Sequence, residues 1–188
     1  HDFTDKGISI GAVNREITVR DTLIYRVGTG IAVKDGSYAL LENNTLAEAT
    51  VVGLHLYEKN AGLGGGRVNA SNLILWNNQR DVLVENDSTL ELTSSILQES
   101  ILNHGESNLA VSPDFVHPDL GDFQLKPDSP ARSAGLAGED LGARIPADPP
   151  DAPVGFSAEF IDDGGVVLYW VDASDDEIGF ELERATSE

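Results

Sequence analysis

Gly30-Ile31-Ala32-Val33 and Gly53-Leu54-His55-Leu56 follow one template 23 residues apart, and this repeat decides the fold. The template also occurs at Gly7-Ile8-Ser9-Ile10 and Asp81-Val82-Leu83-Val84, so successive copies are separated by 23, 23 and 28 residues. Each copy has apolar residues at its second and fourth positions and a small, polar or variable residue at its third. A period of this length indicates one structural unit per copy, stacked so that each unit buries its apolar face against its neighbours.

Two further short apolar segments follow the template in each copy. They alternate with period two and are rich in β-branched residues, which is typical of strands. These segments are residues 17–19 and 23–24, 39–41 and 45–46, 68–70 and 73–75, and 90–92 and 96–97. Polar residues separate the two segments at Asp21, Asn43, Asn72 and Ser94. Because Asn and Asp tolerate the left-handed backbone of a sharp bend, we expect an all-β coil with three strands per turn and a side-chain ladder at this corner.

The period, the three strands and the polar corner together resemble a right-handed parallel β-helix of the pectate-lyase-like class. Lys6-Gly7-Ile8-Ser9-Ile10-Gly11, together with residues 30–37 and 53–60, is similar to repeats of secreted bacterial surface proteins that carry CotH-like regions. We place the coils at residues 1–106. The resemblance implies a fold and not an activity, because the class contains lyases, hydrolases, epimerases, adhesins and inert stalks.

Residues 107–144 resemble the closing segment that follows such coils, notably through Gly121-Asp122-Phe123-Gln124-Leu125 and Ser133-Ala134-Gly135. We expect this segment to wrap the last coil and cover its apolar end, where open strand edges would invite aggregation. Residues 145–153 contain four prolines and are predicted to form an extended linker.

Residues 154–188 resemble the opening strands of a fibronectin type III domain, with Trp170 as its buried tryptophan. A complete sandwich of this class has seven strands in about 100 residues. We therefore expect a partial β-sandwich whose missing strands come from outside this sequence or from another chain. The chain is then an internal piece of a longer protein, and it can associate with itself through its coil ends or the incomplete sandwich.

The net charge of −20 limits the classes of partner that the chain is expected to bind. Residues 1–100 carry 13 acidic and 8 basic residues, whereas residues 101–188 carry 19 and 4. Such a field repels nucleic acid and anionic membranes, so neither is expected as a partner. The acidic surface is either a solvated surface or one that holds cations. The absence of cysteine excludes disulfides and thiolate metal sites, and the histidines form no metal-binding pair.

One strand face is the candidate site. Alternation directs the apolar template residues inward and leaves two outward columns, Ser9/Ala32/His55/Leu83 and Gly11/Lys34/Tyr57/Glu85. Stacking should gather Lys34, His55, Tyr57 and Glu85 into one patch, flanked by Asp35, Glu58 and Lys59. The resemblance implies that such a face can abstract a proton from a polysaccharide and contact its sugars. The alternatives are a surface ion pair between Lys34 and Glu85 and a Tyr57 ring that only covers the sheet.

Two other motifs carry weaker hypotheses. The glycine-rich residues 61–67 are predicted to form a flexible loop leaving the coil, which would be the rim of a cleft if it lay over a strand face. Asp172, Asp175, Asp176 and Glu177 are close enough in sequence to suggest Ca²⁺ binding. The spacing of a calcium loop is missing, so a polar turn is the preferred interpretation.

These patterns favour a non-catalytic structural or adhesive segment, a stalk or assembly module, of a secreted bacterial multidomain surface protein. Its expected partners are other domains of the same polypeptide, and its expected place is the cell surface or the extracellular space. The alternative is a β-helix that binds or degrades a polysaccharide, as a lyase or glycoside hydrolase, with its site on the first sheet.

Overall fold

The computed structural model describes residues 3–11, 16–85, 87–98, 105–145, 153–160 and 165–171. It is all-β, and its main body is three parallel sheets of four strands each. The chain visits the three sheets in rotation, so strands that are neighbours in a sheet are three strands apart in the sequence. This arrangement is consistent with a parallel β-helix. Its residues belong to the first of two compact units, His1–Ile145 and Pro146–Glu188.

Each coil of the chain contributes one strand to each sheet, as the 23-residue template predicts. The first sheet contains β1 (Phe3–Ile10), β4 (Val27–Lys34), β7 (Val52–Tyr57) and β10 (Val82–Val84). The second sheet contains β2 (Glu16–Arg20), β5 (Tyr38–Glu42), β8 (Arg67–Ser71) and β11 (Thr89–Thr93). The third sheet contains β3 (Leu23–Tyr25), β6 (Thr45–Ala47), β9 (Ile74–Trp76) and β12 (Ile96–Leu97).

The predicted inward columns of the first sheet are confirmed. Ile31, Val33, Leu54 and Leu56 are all 0% exposed and belong to one continuous core. Ile10 and Val82 are also buried in this core, and Ile8 and Val84 are partly buried against it. Parallel pairing joins Ile8 to Ile31 and Ile31 to Leu54, so like residues stack directly on one another.

The predicted polar corner is also confirmed. Asp21, Asn43, Asn72 and Ser94 have φ angles of 49°, 53°, 58° and 46°, which is the left-handed region. The side-chain amides of Asn43 and Asn72 lie 3.1 Å apart and join adjacent coils, which is one rung of the expected ladder. The corner residues therefore turn the chain between the second and third sheets and also bond along the stack.

Contacts like those within the coils recur at residues 108 and 109. Asn108 donates from Nδ2 to the Leu92 carbonyl at 2.8 Å and accepts at Oδ1 from the Ser95 amide at 3.0 Å. Asn44 makes the same pair of bonds at the first corner, at 2.9 and 3.0 Å. A parallel bridge then joins Ile96 to Leu109. Asn108 and Leu109 thus stack on the fourth coil.

The segment after the coils covers the outward flank of the third sheet. It contains β13 (Phe115–His117), a 3₁₀ turn at Pro118–Leu120 and β14 (Asp122–Leu125), which pairs antiparallel with β13. A second core joins this segment to all four strands of the third sheet: Phe115, Phe123, Ala131 and Leu141 pack with Tyr25, Ala47, Ile74 and Ile96.

The sequence suggested that this segment wraps the last coil and covers its apolar end, whereas the observed segment packs along all four strands of the third sheet. The observed position follows from the composition of the third strands. Ile24 and Leu75 point into the coil, whereas Ile74 and Ile96 point outward. An apolar outer face of this kind must be covered, because large exposed apolar surfaces are unfavourable in water.

The second unit contains an antiparallel hairpin of β15 (Val154–Phe160) and β16 (Val166–Val171). Both strands occur where the sequence predicts them. Trp170 was expected to be buried, but it is 40% exposed, and Phe156 is 62% exposed. Within the described residues of this unit no second sheet packs on the hairpin, which is why these rings are not enclosed. Most of the predicted linker and the third predicted strand lie outside the described residues.

Candidate functional site

The outward face of the first sheet gathers the four side chains that the sequence singles out. Pairing of β4 with β7 places Ala32 beside His55 and Lys34 beside Tyr57. The ladder continues one residue past β10, where the Glu85 amide donates to the Leu56 carbonyl at 2.8 Å. Because residues i and i+2 of a strand share a face, these side chains lie on one surface.

The polar groups of this surface bond to one another along the stack. His55 Nε2 lies 2.6 Å from Glu85 Oε1. Lys34 Nζ donates to Ser9 Oγ at 2.5 Å. The ion pair between Lys34 and Glu85 that the sequence offered as an alternative is therefore replaced by two other pairs. Each pair links one coil to the next.

Tyr57 is held between a ring and a cation. Its ring stacks on the His55 imidazole with centroids 4.3 Å apart and an interplanar angle of 27°. Lys34 Nζ lies 6.0 Å from the centroid of the same ring. Stacked and cation–π contacts of this kind each add about 0.5–1.5 kcal/mol beyond the burial of the groups. Tyr57 thus stabilises the face besides covering it.

The charges around Lys34 shift its proton affinity. Burial lowers the pKa of the Lys34 ammonium, and the positive charges of Lys59 and Lys6 lower that pKa further. Lys6 has the opposite shift, because its hydrogen bond to the Asp5 carboxylate raises its pKa. The Lys6 Nζ–Asp5 Oδ1 distance is 2.6 Å. Burial and neighbouring positive charge thus both favour the neutral amine of Lys34.

A buried carboxylate fixes the loop that follows the face. Asp35 is 4% exposed and accepts from the Lys59 and Asn60 amides at 2.9 Å each and from Asn60 Nδ2 at 2.8 Å. These bonds lower the pKa of Asp35, with the Asn60 amide as the largest cause. Asp35 therefore joins the end of β4 to the chain one coil later.

The glycine-rich residues 61–67 are tied to the coil by several bonds. Glu58 Oε1 accepts from the amides of Gly62 and Gly64, both at 2.8 Å. The Gly66 amide donates to Ser88 Oγ at 3.1 Å. A Cβ atom at Gly66 would lie 2.1 Å from the Val33 carbonyl oxygen, so only glycine allows the loop backbone to lie directly on the preceding coil.

Two surface depressions were not predicted. One, of about 300 Å³, lies at the polar corner and is lined by Arg20, Glu42, Asn43, Asn72, Glu139 and Arg144, among others. Asn43 and Asn72 were identified as corner residues. Their neighbour Glu139, which accepts from Asn72 Nδ2 at 3.1 Å, is 67 residues away in sequence and gives no local signal.

The second depression, also of about 300 Å³, lies on the outward face of the second sheet. Its lining includes Tyr38, Arg67, Asn69 and Glu91. Alternation along the strands of the second sheet directs these side chains outward. No single residue type recurs among them, so no sequence signal marks this depression.

The remaining site predictions have no structural counterpart here. Asp172, Asp175, Asp176 and Glu177 lie outside the described residues, so calcium binding there stays a prediction. Within the described ranges no group of three or more histidine or carboxylate side chains is arranged to hold a metal ion. The described residues also include no helix that is long and apolar enough to cross a bilayer.

Comparison of the chain with family models, with curated proteins and with solved structures found no match.

Proposed function

We propose that this chain is a non-catalytic structural or adhesive segment of a secreted multidomain surface protein. In this proposal residues 1–144 form a right-handed parallel β-helix of the pectate-lyase-like type that acts as a stalk or assembly module. Residues 154–188 begin a fibronectin type III-like module that connects it to further domains. Secretion to the cell surface is part of the same proposal.

The observation that supports the proposal most is the pairing of polar groups along the first sheet. Ser9 with Lys34 and His55 with Glu85 each join adjacent coils. Such bonds reinforce a stack, as corner ladders do, and leave these groups less available for a substrate. The closing segment, which covers the outward flank of the third sheet, supports the same proposal, because a stalk must keep its apolar surface away from water.

The set of carboxylates on this face also favours a scaffold over a glycosidase. A glycoside hydrolase of the usual type needs two carboxyl groups on either side of the scissile bond. The two outward columns contain one carboxylate, Glu85, and it is already paired with His55.

Turnover assays on a panel of polysaccharides test this proposal. The panel should contain uronates, neutral glucans and amino-sugar polymers, with reducing ends and unsaturated uronides as the readouts. We expect no product above the buffer control. Product formation by the wild-type chain that is lost in both Lys34→Ala and Tyr57→Ala, each still folded by circular dichroism, would overturn it.

A second candidate function is polysaccharide binding or lyase activity on the first sheet, with Lys34 as the base. It is favoured by one observation: the pKa of Lys34 is lowered, as a lysine base requires. Affinity electrophoresis on the same polysaccharides separates the two candidates. Retardation without product supports an adhesive segment, whereas product release supports the lyase.

A further inference from the structure

The depression on the outward face of the second sheet gathers polar side chains from adjacent coils. Pairing of β5 with β8 places Tyr38 beside Arg67. Pairing of β8 with β11 places Arg67 beside Thr89, and it places Asn69 beside Glu91. Adjacent strands lie about 4.8 Å apart, and residues i and i+2 of one strand lie about 6.6 Å apart on the same face. These side chains therefore line one depression of about 300 Å³.

The polar groups of this depression are available to a ligand. Within the part of the chain that the structure describes, no hydrogen bond, ion pair or ring contact engages the side chains of Tyr38, Asn69 and Glu91. Arg67 makes one long bond, from Nη2 to the Gly36 carbonyl at 3.4 Å. The polar groups of the first-sheet face, by contrast, are bonded to one another. The second sheet therefore presents the polar groups that have the fewest partners within the chain.

The charges of the depression balance one another. Arg67 and Glu91 are the two charged residues among those that line it. An anion attracted by the Arg67 guanidinium is repelled by the Glu91 carboxylate, and a cation attracted by Glu91 is repelled by Arg67. A polar ligand without net charge meets neither repulsion. The lining therefore favours an uncharged polar ligand, although the whole chain has a net charge of −20.

The donors and acceptors of the depression suit the hydroxyl groups of a sugar. A hydroxyl group both donates and accepts hydrogen bonds. The Arg67 guanidinium donates, the Glu91 carboxylate accepts, and the Asn69 amide does both, each through a planar group that can bond two neighbouring hydroxyls. The Tyr38 ring adds an apolar surface for the C–H groups of a sugar ring. Binding sites for small ligands commonly combine aromatic surface with a few placed polar groups in this way.

We propose that this depression binds an uncharged saccharide, with a sugar ring against Tyr38 and its hydroxyl groups bonded to the polar side chains around that ring. This inference rests on the adhesive part of the proposed function and places the binding surface on the second sheet. The two proposals fail separately. A chain that binds no saccharide is still a stalk, whereas polysaccharide turnover would overturn the scaffold and leave this site in place.

Isothermal titration calorimetry on the full chain tests the site, with cellohexaose, xylohexaose and mannohexaose as uncharged probes. Hexagalacturonate is the anionic probe, and the hexamer of glucosamine is the cationic one. The variants are Tyr38→Ala and Asn69→Ala. Thr18→Ala is the matched control, because Thr18 is exposed in the same outward column as Asn69 but does not line the depression. Circular dichroism checks that each variant is folded.

We expect saturable binding of at least one uncharged probe at one site per chain, and weaker binding of both charged probes. Affinity should fall about threefold to tenfold in Asn69→Ala, which loses neutral hydrogen bonds, and about tenfold in Tyr38→Ala, which loses the ring. Thr18→Ala should bind as wild type. If Tyr38→Ala does not fold, Asn69→Ala decides by itself, because Asn69 is exposed.

Three results would each overturn the proposal. The first is the absence of saturable binding for all three uncharged probes. The second is tighter binding of a charged probe than of any uncharged one. The third is equal binding by the wild type and the folded variants of the depression.

Discussion

At the residue scale, the corners of the coil depend on backbone conformation. Asp21, Asn43, Asn72 and Ser94 are left-handed, a conformation that costs most L-residues about 1–2 kcal/mol. Asn and Asp offset part of this cost by bonding to nearby groups, as Asn72 does with Asn43. Residue choice at this corner therefore follows from the geometry of the turn.

Ser94 allows the backbone contribution to be measured by itself. Its φ is 46°, and glycine adopts this conformation without strain, whereas alanine does not. We expect Ser94→Gly to be more stable than Ser94→Ala by about 1 kcal/mol. Urea unfolding of the two variants measures the difference. Equal stabilities, or a more stable alanine variant, would contradict the assignment of this corner.

Asp35 should make stability depend on acid pH. Its folded pKa lies below the ordinary value of 3.8, because amides bond to the charged form. The resulting stabilisation is complete above the unfolded-state pKa and is lost as pH falls through the folded-state pKa. Asp35→Asn should therefore lower the free energy of unfolding near neutral pH, because it removes the charged form to which the amides bond.

That deficit of the Asp35→Asn variant should shrink as the pH falls below about 4. Denaturant titrations across this range measure it, with the exposed Asp128→Asn variant as the control. A deficit that stays constant with pH would show that the charge of Asp35 has no part in the stabilisation.

At the element scale, the third sheet explains why the chain continues past the coils. Its strands have apolar residues on both faces, and the closing segment covers the outer one. Phe123 is 2% exposed in this second core, with its ring centroid 5.0 Å from Tyr25 and 5.1 Å from Phe115. The closing segment is therefore an integral part of the fold.

Truncation of Phe123 tests this role. Phe123→Ala should lower the free energy of unfolding by about 3–5 kcal/mol, because it opens a cavity between the segment and the sheet. Leu120→Ala in the same segment is the control, since Leu120 is 78% exposed and should change stability by no more than about 0.5 kcal/mol. Chemical denaturation followed by circular dichroism gives both values. Similar small effects in the two variants would mean that the segment does not pack on the sheet.

Some elements of the fold can be predicted from local sequence patterns, and others cannot. The 23-residue template places all three strands of a coil and the outward columns, because alternation and turn residues are local signals. The position of the closing segment depends on contacts between residues such as Phe123 and Tyr25, about 100 residues apart, and has no local signal. The left-handed Arg26 and Glu48 of a second corner were missed for another reason. Neither residue type prefers this conformation, and stacked backbone bonds impose it.

The sequence likewise predicts one part of the candidate site and not the other. Register alone predicts that Lys34, His55, Tyr57 and Glu85 share a face, because pairing of like positions fixes the columns. Which of these side chains bond to one another depends on their lengths and burial, and Glu85 bonds to His55 and not to Lys34. The saturation of Asp35 and Glu58 by loop amides depends on the path of residues 58–66, which composition does not specify.

At the scale of the whole molecule, in-register stacking of the four coils underlies the core, the polar corner and the polar pairs of the first sheet alike. Thr18, Leu40, Asn69 and Glu91 form one outward column of the second sheet, one residue from each coil. Successive strands in a sheet lie about 4.8 Å apart, so Thr18 and Glu91 should be separated by about 14 Å between Cα atoms.

Spin labels on this column measure the stacking directly. The sequence has no cysteine, so Thr18→Cys with Glu91→Cys places exactly two labels on two exposed positions. Asn69→Cys with Glu91→Cys is the control pair, one strand spacing apart. Continuous-wave paramagnetic resonance should show dipolar broadening for both pairs, stronger for the control and corresponding to about three strand spacings for the first pair. A first pair without broadening, hence well beyond three spacings, would contradict the stacked coil and the inferences that depend on it.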